Sequence, residues 1–110
     1  MTIPNAVSNL TVHQTTEHDL YDAAHYIAEH NLDAAQRFLD SFNDTCELLV
    51  DLPESGSPVH AALEELRDLR MMRVEHYPKH LIFYTPVPRK GIKVVRVIHA
   101  ARDYTTFFET

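Results

Sequence analysis

The chain has 110 residues, of which 45% are hydrophobic and 24% charged, and this balance predicts one ordinary globular domain over residues 1–110 rather than a disordered or fibrous chain. A single cysteine, Cys46, excludes an internal disulfide and a zinc site built from several cysteines. The formal net charge of −6 disfavours broad nucleic-acid binding, which depends on cations that meet phosphates.

The N-terminal part of the chain predicts a short strand and no export signal. Residues 1–6 lack the basic and then apolar pattern of a secretory signal. No apolar run along the chain approaches the roughly 18–20 residues that a membrane span needs. We therefore expect a cytoplasmic protein without membrane contact. Brief alternation over residues 10–13 predicts the first strand.

Two amphipathic helices are predicted next. Thr15 and Thr16, followed by acidic residues, indicate a capped start of the first helix, whose apolar positions recur at helical spacing until about residue 30. Asp33 is the predicted cap of the second helix, and Pro53 ends it. Because the link between the helices is very short, we expect an antiparallel helical hairpin.

The rest of the chain changes to strand patterns. After a loop at residues 53–58 and one helical turn at 61–66, strands are predicted at about 69–74, 80–84 and 92–98. Short loops between them favour an antiparallel sheet. The predicted fold class is α+β, with a short N-terminal strand and an antiparallel α-hairpin packed on an antiparallel sheet of three to four strands.

The densest polar cluster follows the last strand. His99, Arg102 and Tyr104 lie there, and Arg73 or Glu75 on a neighbouring strand could face them. RNA cleavage needs a base, an acid and a cation that stabilises the phosphorane, and these five residues supply those chemical types. The alternative interpretation is structural, with ion pairs at the end of the sheet and His99 bonded to the backbone.

Neither the eight histidines nor Cys46 has the pattern of a metal or nucleophile site. His76 and His80 flank Pro78, where a helix is disfavoured, and His25 and His30 lie on different faces of a helix. Cys46 belongs to the apolar stripe of the second helix and is interpreted as a core residue. We therefore expect no metal and no cofactor.

Charge is divided between the two parts of the chain. Residues 1–68 carry a net charge of −11, whereas residues 69–110 carry +5. The basic part is suited to an acidic protein segment or to phosphate. The acidic part is interpreted as a solvated face or as a surface for a basic region of a target.

The order of strand, helical hairpin and meander resembles the RelE/ParE superfamily of bacterial toxin–antitoxin toxins over about residues 10–103. Shorter matching stretches lie at residues 19–27, 52–56 and 69–70. The most specific stretches are residues 80–84 (HLIFY) and 92–103 (IKVVRVIHAARD). The second of these is similar to the ParE branch in particular.

This resemblance implies the toxin of a type II toxin–antitoxin system of the plasmid-stabilisation type. ParE-like toxins are implied to inhibit DNA gyrase by protein contact, which needs no catalytic residue, and to be neutralised by a cognate antitoxin that wraps around them. We expect the antitoxin to contact the basic part of the chain. The assembly could be a toxin homodimer or a toxin–antitoxin hetero-oligomer. The candidate antitoxin-binding residues are Arg70, Arg73, Arg96 and Arg102.

Two other functions stay open at this point. A RelE-like, ribosome-dependent mRNA endoribonuclease would use Arg73, Glu75, His99, Arg102 and Tyr104. Residues 66–74 contain no lysine, however, and the chain is acidic, and both features depart from that nuclease branch. The third function is that of a non-toxic family member that serves as a binding module.

Overall fold

Two helices lie against one face of a five-stranded sheet. The computed structural model describes residues 10–108, except the side chains of Thr105 and Thr106. The elements in chain order are β1 (Leu10–Val12), α1 (Gln14–Ala28), α2 (Leu32–Asp51), β2 (Ser57–Pro58), β3 (Arg70–Val74), β4 (Tyr77–Val87) and β5 (Gly91–His99). Short 3-10 helices cover Glu64–Leu66 and Tyr104–Phe108. Residues 1–9, which include the segment inspected for a secretory signal, and residues 109–110 lie outside the described range. The predicted α+β class and the helical hairpin are confirmed.

The sheet has the strand order β1-β5-β4-β3-β2. Strands β2 to β5 pair antiparallel with their neighbours, as predicted, whereas β1 pairs parallel with β5. The sheet is therefore mixed, and the two-residue strand β2 is a fifth strand within the predicted loop. Neither detail was predicted, because strand patterns do not specify which neighbour a short edge strand chooses. Among residues 10–108, no helix is long and apolar enough to cross a membrane.

Both helices start at residues other than the predicted caps. His13 caps α1, since its Nδ1 accepts a hydrogen bond from the backbone N–H of Thr15 at 3.1 Å. Thr16 is fully buried instead, and its hydroxyl donates to a carbonyl of β5 at 3.2 Å. Asn31 caps α2 in place of Asp33, which lies in the first turn. The predicted caps were wrong because several neighbouring residues can cap, and the packing of each helix on the sheet selects one.

Two hydrophobic clusters lie on opposite faces of the sheet. The cluster on the helix face contains Cys46, and burial raises the pKa of its thiol to about 12, so that it is an inert core residue. We name the opposite side the outer face. Its cluster is covered by residues 59–69 and by the C-terminal 3-10 helix. The buried side chains of the outer face are Leu69, Leu81, Phe83, Ile98 and Phe108.

The loop that follows α2 is tied to the sheet by a buried tyrosine. The Tyr84 hydroxyl accepts a hydrogen bond from Gly56 N–H at 2.9 Å and donates to the Pro53 carbonyl at 2.7 Å. A Cβ at Gly56 would lie 2.5 Å from that hydroxyl, so only glycine fits there. The Arg70 guanidinium donates to the carbonyls of Gly56 and Glu54 at 2.6 and 3.1 Å. Arg70 therefore anchors the loop after α2 to strand β3.

Candidate functional site

Within residues 10–108, the edge of β5 next to β1 has no strand partner beyond residue 94, because β1 pairs only with residues 92–94. Helix α1 covers this edge with Asp19. One carboxylate oxygen of Asp19 accepts from the Val97 backbone N–H at 2.9 Å and from Arg96 Nε at 2.8 Å, and the other accepts from Arg96 Nη2 at 2.9 Å. Asp19 thus satisfies the open strand edge and pairs with Arg96 in a bidentate geometry.

Arg96 and Arg102 hold the C-terminal segment against the molecule. The guanidinium of Arg96 lies 4.6 Å from the ring centroid of Phe107, and that of Arg102 lies 4.8 Å from the same centroid. The side chains of Asp19 and Arg96 are only 11% and 22% exposed. Breaking this ion pair would therefore leave a charge that is poorly solvated.

A cleft of about 300 Å³ opens between α1 and the end of β5. We name it the β5 cleft. Its lining consists of Asp19, Asp22, Ala23 and Tyr26 from α1 together with His80, Val97, His99 and Arg102. Two carboxylates, two imidazoles and a guanidinium line this small cleft. The β5 cleft is therefore a candidate functional site on the helix side of the sheet.

The two histidines of the β5 cleft differ in their surroundings. The His80 ring lies 4.8 Å from the ring of buried Phe38 and 5.1 Å from the ring of His99. Burial, and then the nearby His99, lower the pKa of His80 to about 4, so that His80 is neutral at pH 7. His99 is exposed, and its Nδ1 accepts a hydrogen bond from Ala101 N–H at 3.0 Å. This bond places the proton of a neutral His99 ring on Nε2.

The candidate catalytic residues do not come together at the β5 cleft. His99 and Arg102 line it. Tyr104 packs on the outer face, where its ring centroid lies 5.1 Å from that of Phe83. The sheet therefore separates the tyrosine from the histidine.

Arg73 and Glu75 lie elsewhere again. Arg73 pairs with Leu81, a residue of the outer face, and its side chain is exposed. Glu75 is exposed between β3 and β4, and its backbone N–H donates to the Thr45 hydroxyl at 3.0 Å. The five candidates thus occupy three places: His99 and Arg102 are at the β5 cleft, Arg73 and Tyr104 are on the outer face, and Glu75 is in the turn after β3. Among residues 10–108, no group of histidine, cysteine and carboxylate side chains could hold a metal ion.

The four candidate antitoxin-binding arginines fall into two groups. Arg70 and Arg96 use their guanidinium groups within the protein, on loop carbonyls and on Asp19 respectively. Arg73 and Arg102 are exposed. Within residues 10–108, neither guanidinium of this second pair is held by a hydrogen bond or an ion pair, and that of Arg102 stacks on the Phe107 ring, so both can meet acidic side chains of a partner.

The structural role of Asp19 in the β5 cleft was not predicted from the sequence. Asp19 was interpreted only as an acidic residue near the start of a helix. The available signal was its helical spacing from Ala23, which is four residues further on and packs against the core, because a carboxylate on a buried face needs a partner. The sequence offers several cations, however, and only the fold identifies Arg96 as that partner.

Comparisons with known proteins agree with this fold. The family described as "ParE toxin of type II toxin-antitoxin system, parDE" matches residues 10–104. A solved chain titled "Chromosomal ParDE TA system from P. aeruginosa" has a similar fold, with a TM-score of 0.62 at 16% sequence identity. The match covers 84% of this chain and 95% of that one. No curated protein matches the sequence.

Replacing Asp19 tests the link between α1 and β5. We expect Asp19→Asn to lower the free energy of unfolding by about 1.5–3 kcal/mol, because Arg96 loses its counter-ion and the Val97 N–H keeps a weaker acceptor. Urea denaturation followed by circular dichroism measures this change. Asp22→Asn, on the exposed side of the same helix, is the control and should stay within about 0.5 kcal/mol of the wild type. Equal stability of the two variants would contradict the structural role of Asp19.

Proposed function

The chain belongs to the ParE toxin family of type II toxin–antitoxin systems, and from this membership we propose that it inhibits DNA gyrase by direct protein contact and is neutralised by a cognate antitoxin. The observation that best supports inhibition by contact is the separation of His99, Tyr104 and Glu75 into three places in the fold. Inhibition by contact requires complementary surfaces and no assembled acid and base.

The electrostatics of the β5 cleft argue against the alternative of mRNA cleavage. A cleft that binds a scissile phosphate needs cations that stabilise the developing negative charge. The carboxylate of Asp22, unpaired among residues 10–108, lines this cleft beside Arg102, and it would repel the phosphate. The guanidinium of Arg96 is already paired with Asp19. The geometry therefore favours a protein-binding toxin over an endoribonuclease.

The antitoxin is proposed to contact the exposed basic residues of the later part of the chain. Arg73 projects from the outer face of β3, and Arg102 lies at the rim of the β5 cleft. Both can pair with acidic residues of an antitoxin tail. Arg70 and Arg96 are engaged within the protein instead, since one holds the loop after α2 and the other holds α1.

Inducing the chain alone in a bacterial host tests the proposed target. We expect growth arrest with altered plasmid supercoiling or DNA breaks and with intact mRNA, because gyrase is inhibited and RNA is not a substrate. Gel electrophoresis of plasmid topoisomers and primer extension on abundant messages are sampled together as growth slows. Rapid mRNA cleavage would contradict the proposal, and folded protein that causes no arrest would leave only the binding-module function.

Charge reversal tests the antitoxin surface. We expect Arg73→Glu with Arg102→Glu to weaken binding of the cognate antitoxin at least tenfold at low salt and to reduce the salt dependence of binding. Isothermal titration calorimetry at two salt concentrations measures both effects. The matched control is Arg89→Glu with Lys90→Glu, which makes the same charge change at the exposed turn between β4 and β5. Equal affinities of the two double variants would reject this surface.

A further inference from the structure

The outward side of α1 carries two exposed tyrosines on either side of a polar row. His18, Asp22, His25 and Glu29 follow one another at intervals of three or four residues and therefore form a line along the helix. Tyr21 and Tyr26 flank this line and are 48% and 66% exposed. We name these six residues the α1 face. Exposed tyrosines are typical of protein interfaces, because a rigid ring supplies contact area at a low cost in entropy.

The α1 face contains a depression between its side chains. A depression of about 340 Å³ lies between the two tyrosines. Its lining is Tyr21, Asp22, His25, Tyr26 and Glu29. Asp22 and Tyr26 also line the β5 cleft, so the two depressions adjoin and form one surface. This surface has room for a few side chains of a partner.

Electrostatics determine which side chains fit the depression. Among residues 10–108, the carboxylates of Asp22 and Glu29 have no hydrogen-bond or ion-pair partner. Residues 14–51 contain nine carboxylates and one basic residue, Arg37. The potential at the α1 face therefore attracts cations and repels an acidic antitoxin tail.

We propose that the α1 face binds a segment of the toxin's protein target that bears arginine or lysine side chains. A guanidinium can stack on the ring of Tyr26 while it donates hydrogen bonds to Asp22. The protein contains an internal example of this arrangement, since Arg96 lies between the carboxylate of Asp19 and the ring of Phe107. The inference rests on the proposed function, because only a toxin that acts by contact needs a surface for its target.

A double variant and a matched control test the role of the α1 face. The test variant is Asp22→Lys with Tyr26→Ala, which reverses one charge and removes one ring. The control is Asp44→Lys with Leu48→Ala on α2, where an exposed carboxylate and an exposed apolar side chain are also four residues apart. The two variants have the same net charge. Circular dichroism and urea denaturation of each variant confirm that it is folded.

We expect the wild type and the control to arrest growth when each is induced alone, whereas the test variant loses the arrest. With purified DNA gyrase as the probe, we expect the test variant to bind at least tenfold more weakly than the control. Neither variant should bind the cognate antitoxin more weakly than the wild type, because neither removes Arg73 or Arg102, and Asp22→Lys adds a cation to the cleft that Arg102 lines.

The other outcomes overturn the inference in distinguishable ways. If the test variant arrests growth as strongly as the control, the α1 face does not bind the target, and the proposed function still stands. No arrest by the wild type rejects the proposed function and the inference together. Loss of antitoxin binding by the test variant assigns the α1 face to the antitoxin. If the wild type is a dimer in size-exclusion chromatography and only the test variant is a monomer, the α1 face binds a second copy of the chain instead.

Discussion

The carboxylate of Asp19 joins the helix layer to the sheet at the part of β5 beyond residue 94, which has no strand partner on that edge among residues 10–108. It accepts a hydrogen bond from the open edge of β5 and holds Arg96 in a bidentate pair. Arg96 in turn packs on Phe107, which fixes the C-terminal segment over the outer face. The Asp19 carboxylate thus positions α1, the end of β5 and the C-terminal 3-10 helix relative to one another. The β5 cleft lies between α1, the end of β5, His80 of β4 and Arg102.

This arrangement separates charge on the surface. Carboxylates cover the helical hairpin, whereas most of the exposed lysines and arginines lie on the sheet, in the turn between β4 and β5 and after β5. A toxin that must engage both an inhibitor and a target benefits from two surfaces of opposite sign, because each surface repels the partner of the other. The proposed antitoxin surface around Arg73 and the proposed target surface around Tyr26 follow this division.

The sequence predicted the α+β class, the helical hairpin and four of the five strands, because long apolar stripes and runs of β-branched residues are strong local signals. The helix caps and β2 were missed, since several neighbouring residues can cap a helix and a two-residue strand has no pattern of its own. His99 and Arg102 do line a cleft, but Tyr104 and Glu75 do not join them there. Proximity in the sequence could not show this, because residues around a strand end turn to different faces of the sheet. The pairing of Asp19 with Arg96 joins positions 77 residues apart, and local patterns carry no information about it.

The most direct test of inhibition by contact is a titration of the purified chain into a gyrase supercoiling assay, with ribosome-bound mRNA present in the same reaction. If the toxin acts by contact, supercoiling declines in proportion to the ratio of chain to gyrase, the decline is complete near stoichiometric amounts, and the RNA stays intact. If a small amount of the chain cleaves many mRNA molecules while gyrase remains active at a molar excess of the chain, the protein is an enzyme and inhibition by contact is refuted.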